Sequence, residues 1–145
     1  NTIAQVTALA ILLPVVAGQS GNAGAQALAV TMRGLALREI RVADWVRVTR
    51  KEVQAGLMNG IGIAITCGVG VLIWSGSPGL MLVIVVSMII SMVAAGTSGA
   101  LVPIILAKLK QDPAVASSIV LTTVSDIVGF FSFLGIATAL FSMLV

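Results

Sequence analysis

An all-α bundle that crosses a membrane is the fold class this sequence predicts, and three observations predict it. Apolar residues fill 59% of the 145 positions and charged residues only 9%, where soluble domains run at about 45–50% and 25%. Mean hydropathy is +1.16. The few charges are segregated: none lies between Asn1 and Met32, none between Val53 and Ala107, and only Asp126 falls between Pro113 and Val145. An uncharged run of about 18 residues is enough for one spanning helix, so the long middle run holds two. The expected architecture is a polytopic bundle of four spans in the lipid bilayer, at about 2–35, 45–74, 80–107 and 114–145, forming one transmembrane domain.

The first span carries Pro14 and then a run of small residues at Gly18, Ser20, Gly21 and Gly24. Proline removes a backbone donor, and small residues let a second helix approach closely, so a kinked, tightly packed helix is expected. Gln19, Asn22 and Gln26 put amides at membrane depth, where they must face protein or water. Asn22 and Gln26, four apart, share one face.

A polar, basic loop at 33–51 follows, with Asp44 as the expected N-cap of the second span. That span carries Trp45 and Trp74 at its two interfaces. They stand 29 positions apart, about 43 Å of helix, close to the thickness of a bilayer. Gln54, Asn59 and Thr66 within it are read first as packing contacts and second as pathway lining. Ser75 to Gly79 is a turn signal. The third span contains Ala95-Gly96-Thr97-Ser98-Gly99, an echo of Ala17 to Gly21 that would fit a duplicated two-helix unit. Lys108, Lys110 and Asp112-Pro113 make the last turn.

Six of the eight basic residues lie between Arg33 and Lys51. The positive-inside rule accounts for them without any nucleic-acid partner, and it places loops 33–51 and 108–113 in the cytoplasm of a cell inner (plasma) membrane protein, with both ends of this chain outside. A chain that starts outside without an initiator methionine implies a piece whose full length carries an odd number of spans upstream, one in the simplest case.

There is no histidine, and the single cysteine, Cys67, has no partner in the chain. Hydrolytic triads, zinc chemistry and a disulfide framework fall away, and the glycine-rich run lacks the G-K-[ST] ending of a phosphate loop. An enzyme is not expected. The residue that demands an account is Asp126, midway along the last span, because a carboxylate at the centre of a membrane helix costs roughly 2.5 to 3.5 kcal/mol. A proton, a cationic partner or a passing cation could each offset that cost.

Three stretches carry a family resemblance. Pro14 to Gln26 reads P-x-x-x-G-x-x-G-N-A-G-x-Q, Asp112 to Ala114 reads D-P-A, and Thr122 to Phe131 reads T-T-V-S-D-I-V-G-F-F. In this order and spacing they resemble the transmembrane domain of the MgtE magnesium channels. The resemblance implies a domain of five helices, a homodimer, and a Mg²⁺ pore on the dimer axis lined by the spans that are first and last here. It places the ion-recognising carboxylate on Asp126, a pore-facing amide on Asn22 and an ion-facing backbone carbonyl on Thr122. It also implies a first transmembrane helix and a cytoplasmic regulatory domain that these residues do not contain.

The chemistry of the ion fits those positions. Mg²⁺ sheds water reluctantly and is held by one or two carboxylates with most of its waters in place. One intramembrane carboxylate cannot balance a divalent ion, but two copies across a twofold axis can. Thr122, Asp126 and Gly129 share a helical face, Thr123 and Asn22 offer further oxygens for the water shell, and Gly18 and Gly21 would leave a gap wide enough for a hydrated ion. Two other functions stay open at this point: an H⁺- or Na⁺-coupled divalent-cation transporter using Asp126 as the coupling carboxylate, and a structural membrane subunit in which Asp126 bonds to Thr122 or to a neighbouring helix.

Overall fold

The computed structural model describes residues 2–140, with side chains from residue 7. Four long helices account for nearly all of it: α1 (Thr2–Ala36), α2 (Trp45–Ser75), α3 (Pro78–Lys108) and α4 (Pro113–Ala139). A single 3-10 turn, Val42–Asp44, precedes α2, and no strand forms among the described residues. All four helices are long and apolar enough to cross a membrane. The fourth span was expected to reach Val145, and its residues 141–145 lie outside the described residues, as does Asn1.

The helices start and stop where local chemistry directs. Ser77 accepts a hydrogen bond from the Leu80 N–H at 3.3 Å and Pro78 fills the first helical position, which opens α3 slightly before the expected Leu80. Asp112 accepts from the Ala114 N–H at 2.9 Å, with Pro113 next, and opens α4 in the same way. Both use a capping side chain followed by a proline whose missing N–H costs nothing there. Gly76 closes α2 with φ of +64°, a left-handed conformation open to glycine at no steric cost.

One local expectation needs correcting. Asp44 stands at the N-cap of α2 but does not cap it. Its carboxylate accepts from the Arg41 N–H at 3.0 Å and lies 3.5 Å from the Arg41 guanidinium and 3.9 Å from that of Arg47; two cations and a free N–H outcompete the helix end. Pro14 lies exposed inside α1, which runs as one helix from Thr2 to Ala36.

The bundle is assembled around α3, which packs against each of the other three helices, while α4 also packs on α1. In the most apolar stretch of α3, 56% of the residues are buried, against 22–28% in the others. Rows of residues four apart make these contacts. On α2 the row is Gly56, Gly60, Ala64 and Gly68; on α4 it is Ser117, Leu121, Ser125, Gly129, Phe133 and Ala137. Such ridges interlock with those of a neighbour, and small residues bring the backbones together. As α2 rises from Gly56 through Gly60 to Gly68, its α3 neighbours fall from Val93 through Ile89 to Met81, which fixes the pair as antiparallel. The outward faces carry Met58, Ile73, Val115 and Phe131, each at least 75% exposed. Hydrocarbon as the solvent makes that exposure free of cost.

Candidate functional site

The buried row of α4 faces α1 and α3, and Asp126 stands beside it, half-buried. Its neighbours Thr122 and Thr123 are exposed, and each returns its hydroxyl to its own helix, to Ser118 O at 2.8 Å and Ile119 O at 2.9 Å. This back-bonding satisfies a threonine in an apolar setting without a second helix. Ser125, fully buried, donates to the Thr122 carbonyl at 3.1 Å. Together with the helix bond from the Asp126 backbone N–H, this occupies both lone pairs of that carbonyl.

The Asp126 carboxylate forms no hydrogen bond or ion pair with any other described residue. The structural-subunit reading needed a side-chain bond from Asp126 to Thr122 or to a packed helix, and neither is made among the described residues. A carboxylate at this depth therefore draws its compensation from outside the described residues: a proton, water, an ion, or a second copy.

The glycines divide into two groups. At Gly18 and Gly21 a Cβ would meet nothing within 4 Å. At Gly24 it would meet the Leu121 side chain at 2.8 Å and the Ala95 carbonyl oxygen at 3.1 Å. Gly129 is buried against Ser91, Ser20 and Val16, at 3.7 to 4.0 Å. Gly24 and Gly129 therefore serve helix packing, and Gly18 and Gly21 keep a face of α1 open.

The amides of α1 go elsewhere than toward α4. Asn22 and Gln26, with Gln19, line a cavity of about 220 Å³ that α1 shares with Asn59 of α2 over Met92 of α3. It adjoins a second, of about 180 Å³, where Gln26 and Asn59 meet Glu52 and Gly96. Asp126 lines neither cavity, so within one chain the amides and the carboxylate stand at separate places. Asn59, read first as a packing contact, is instead exposed along this groove. The signal that could have found it is the small-residue row of α2: with Gly56 and Gly60 turned to α3, Asn59 must sit off that face.

No group of three acidic, cysteine or histidine side chains converges among the described residues. What this arrangement can offer an ion is one carboxylate per chain with hydroxyl and carbonyl oxygens around it, suited to outer-sphere recognition of a hydrated cation rather than to a dehydrated cage.

The sequence also matches known proteins. The family model described as MgtE, divalent cation transporter, matches residues 13–136. The chain is 37% identical over 139 residues to the magnesium transporter MgtE of Bacillus subtilis, an alignment that covers 96% of this chain and 31% of the relative. It is 36% identical over 140 residues to that of Thermus thermophilus, covering 97% of this chain and 31% of the relative. The transporter of Enterococcus faecalis is 33% identical over 138 residues, covering 95% and 30%. The chain thus spans about a third of the length of the curated relatives it matches.

Proposed function

Because this chain belongs to the MgtE family of divalent cation transporters, a transporter family and not one of enzymes, we propose that it is the membrane-spanning part of a Mg²⁺ channel. Two copies meet about a twofold axis. The outward faces of α1 and α4 line a pore, the segments 33–51 and 108–113, which include the adjoining helix ends, face the cytoplasm, and both ends of the chain lie outside. The observation that carries this reading is Asp126, half-buried, at membrane depth and unpartnered among the described residues.

Two such carboxylates balance one divalent ion. Mg²⁺ crosses with most of its waters, which donate to the Asp126 carboxylates and to the exposed hydroxyl oxygen of Thr122. The open surface over Gly18 and Gly21 widens the passage on the α1 side, and Asn22, in the groove beside α2, lies next to it on α1. The remaining length of the full protein supplies a further helix and a regulatory domain.

The test is Mg²⁺ flux in proteoliposomes. Asp126→Asn is expected to lower flux at least about tenfold, the scale set by one lost charged interaction at this depth, while helix content and oligomeric state stay unchanged. Full flux through that variant overturns the assignment. Flux that follows the Mg²⁺ gradient and voltage alone fits the channel; dependence on a proton or sodium gradient makes Asp126 a coupling carboxylate instead.

A further inference from the structure

A cavity of about 290 Å³ opens where the last turns of α1 meet the first turns of α2, bounded by Thr31, Ile40, Arg47, Val48, Lys51 and Glu52. It is distinct from the pore-facing positions, and a ligand held there is independent of the transport reading. Thr31 is 1% exposed and its hydroxyl has no hydrogen-bond partner. Five other helical threonines, Thr66, Thr97, Thr122, Thr123 and Thr138, return the hydroxyl to the carbonyl four residues back, while Thr49 of α2, which does not line this cavity, shares the unpartnered state of Thr31. Thr31 forgoes that bond, and a buried unsatisfied hydroxyl costs stability unless a ligand meets it.

The wall of the cavity is built in. The Ile40 N–H donates to the Gly34 carbonyl at 3.0 Å, and its side chain lies so close over Gly34 that a Cβ there would collide with it. Arg47 and Lys51 oppose the single carboxylate of Glu52, which leaves one net positive charge. Arg47 keeps a long ion pair to Asp44 at 3.9 Å and still has donors free in its five N–H groups. Exposed Trp45, on the turn before Val48, marks this end of the bundle as the level of a membrane interface.

We propose that this cavity holds the headgroup phosphate of an anionic glycerophospholipid. Arg47 and Lys51 donate to the phosphate oxygens, Thr31 donates from the floor, and Val30 and Val48 meet the glycerol backbone. One net positive charge matches one phosphodiester, and Glu52 opposes a doubly charged phosphate. Basic pockets between membrane helices recognise lipid headgroups in this way.

Native mass spectrometry of the protein in neutral detergent, titrated with dioleoyl phosphatidylglycerol or dioleoyl phosphatidylcholine, tests it. Phosphatidylglycerol is expected to be retained in preference, and Lys51→Gln to lower that retention about fivefold, the change one basic residue makes at an anionic surface. Thr31→Val keeps the shape and removes the hydroxyl. It is expected to melt no lower than the parent without lipid, yet to lose part of the melting-temperature rise that phosphatidylglycerol produces. Equal retention of both lipids, parent-like behaviour of both variants, or displacement of the lipid by millimolar inorganic phosphate each overturns the proposal.

Discussion

Gly99 sits where α1 and α3 come closest. A methyl group there would run into the Gly24 carbonyl oxygen, and would meet the Ala27 Cβ at 3.0 Å and the Leu28 nitrogen at 3.1 Å. Those neighbours are mostly backbone and cannot swing aside, so α1 would have to shift as a whole. Overpacking of this kind costs about 1–3 kcal/mol. Gly99→Ala should therefore lower the midpoint of a denaturant titration in mixed micelles, whereas Gly18→Ala, with open space at its Cβ, should leave it unchanged or raise it. Gly21 faces equally open space, so Gly21→Leu is expected to fold like the parent and to block Mg²⁺ flux by filling the passage. Undiminished flux through Gly21→Leu would place the pore on another face.

At the scale of the elements, helix ends provide a test that does not involve transport. Asp112 caps α4 through the Ala114 N–H, whereas the carboxylate of Asp44 is spent on Arg41 and Arg47. Replacing an N-cap by alanine costs about 0.5–2 kcal/mol. Asp112→Ala is expected to lose stability in that range, and Asp44→Ala to lose less, since a surface ion pair is worth about 0–1 kcal/mol; thermal melts followed by circular dichroism rank the two. The contrast also shows what could be read in advance. Four spans were legible because apolar length alone announces them, and the Ser-Pro and Asp-Pro pairs announce the starts of α3 and α4. Asp44 was not legible, because its choice between helix and arginines is settled in three dimensions. The same holds for the site. Asp126 stood out as a lone intramembrane charge, and the resemblance drew Asn22 and Thr122 after it. That Asn22, Gln26 and Asn59 share a groove between α1 and α2 depends on how two helices far apart in sequence straddle α3, and no local pattern carries that.

The whole molecule places its most buried helix, α3, at the centre and surrounds it with three helices that each show one face outward. Along the outward part of α4 the surface is not uniformly apolar: Thr122 and Thr123 are exposed beside half-buried Asp126. Along α2 it is dominated by apolar side chains, with Met58 75% and Ile73 81% exposed. A polar strip at membrane depth is costly against lipid and free of that cost against water or a second polar strip, so α4 is the face expected to meet its own copy while α2 meets lipid. Cysteine cross-linking decides this. With Cys67→Ala removing the one native thiol, Thr122→Cys should form a disulfide-linked dimer under mild oxidation in membranes, and Met58→Cys should remain monomeric. Mg²⁺ at millimolar concentration should slow the Thr122→Cys reaction, because a hydrated ion on the axis would stand between the two sulfurs. Cross-linking through position 58 instead, or none at 122 with the protein folded, would move the twofold axis away from Asp126 and leave that carboxylate without the second charge a divalent ion requires.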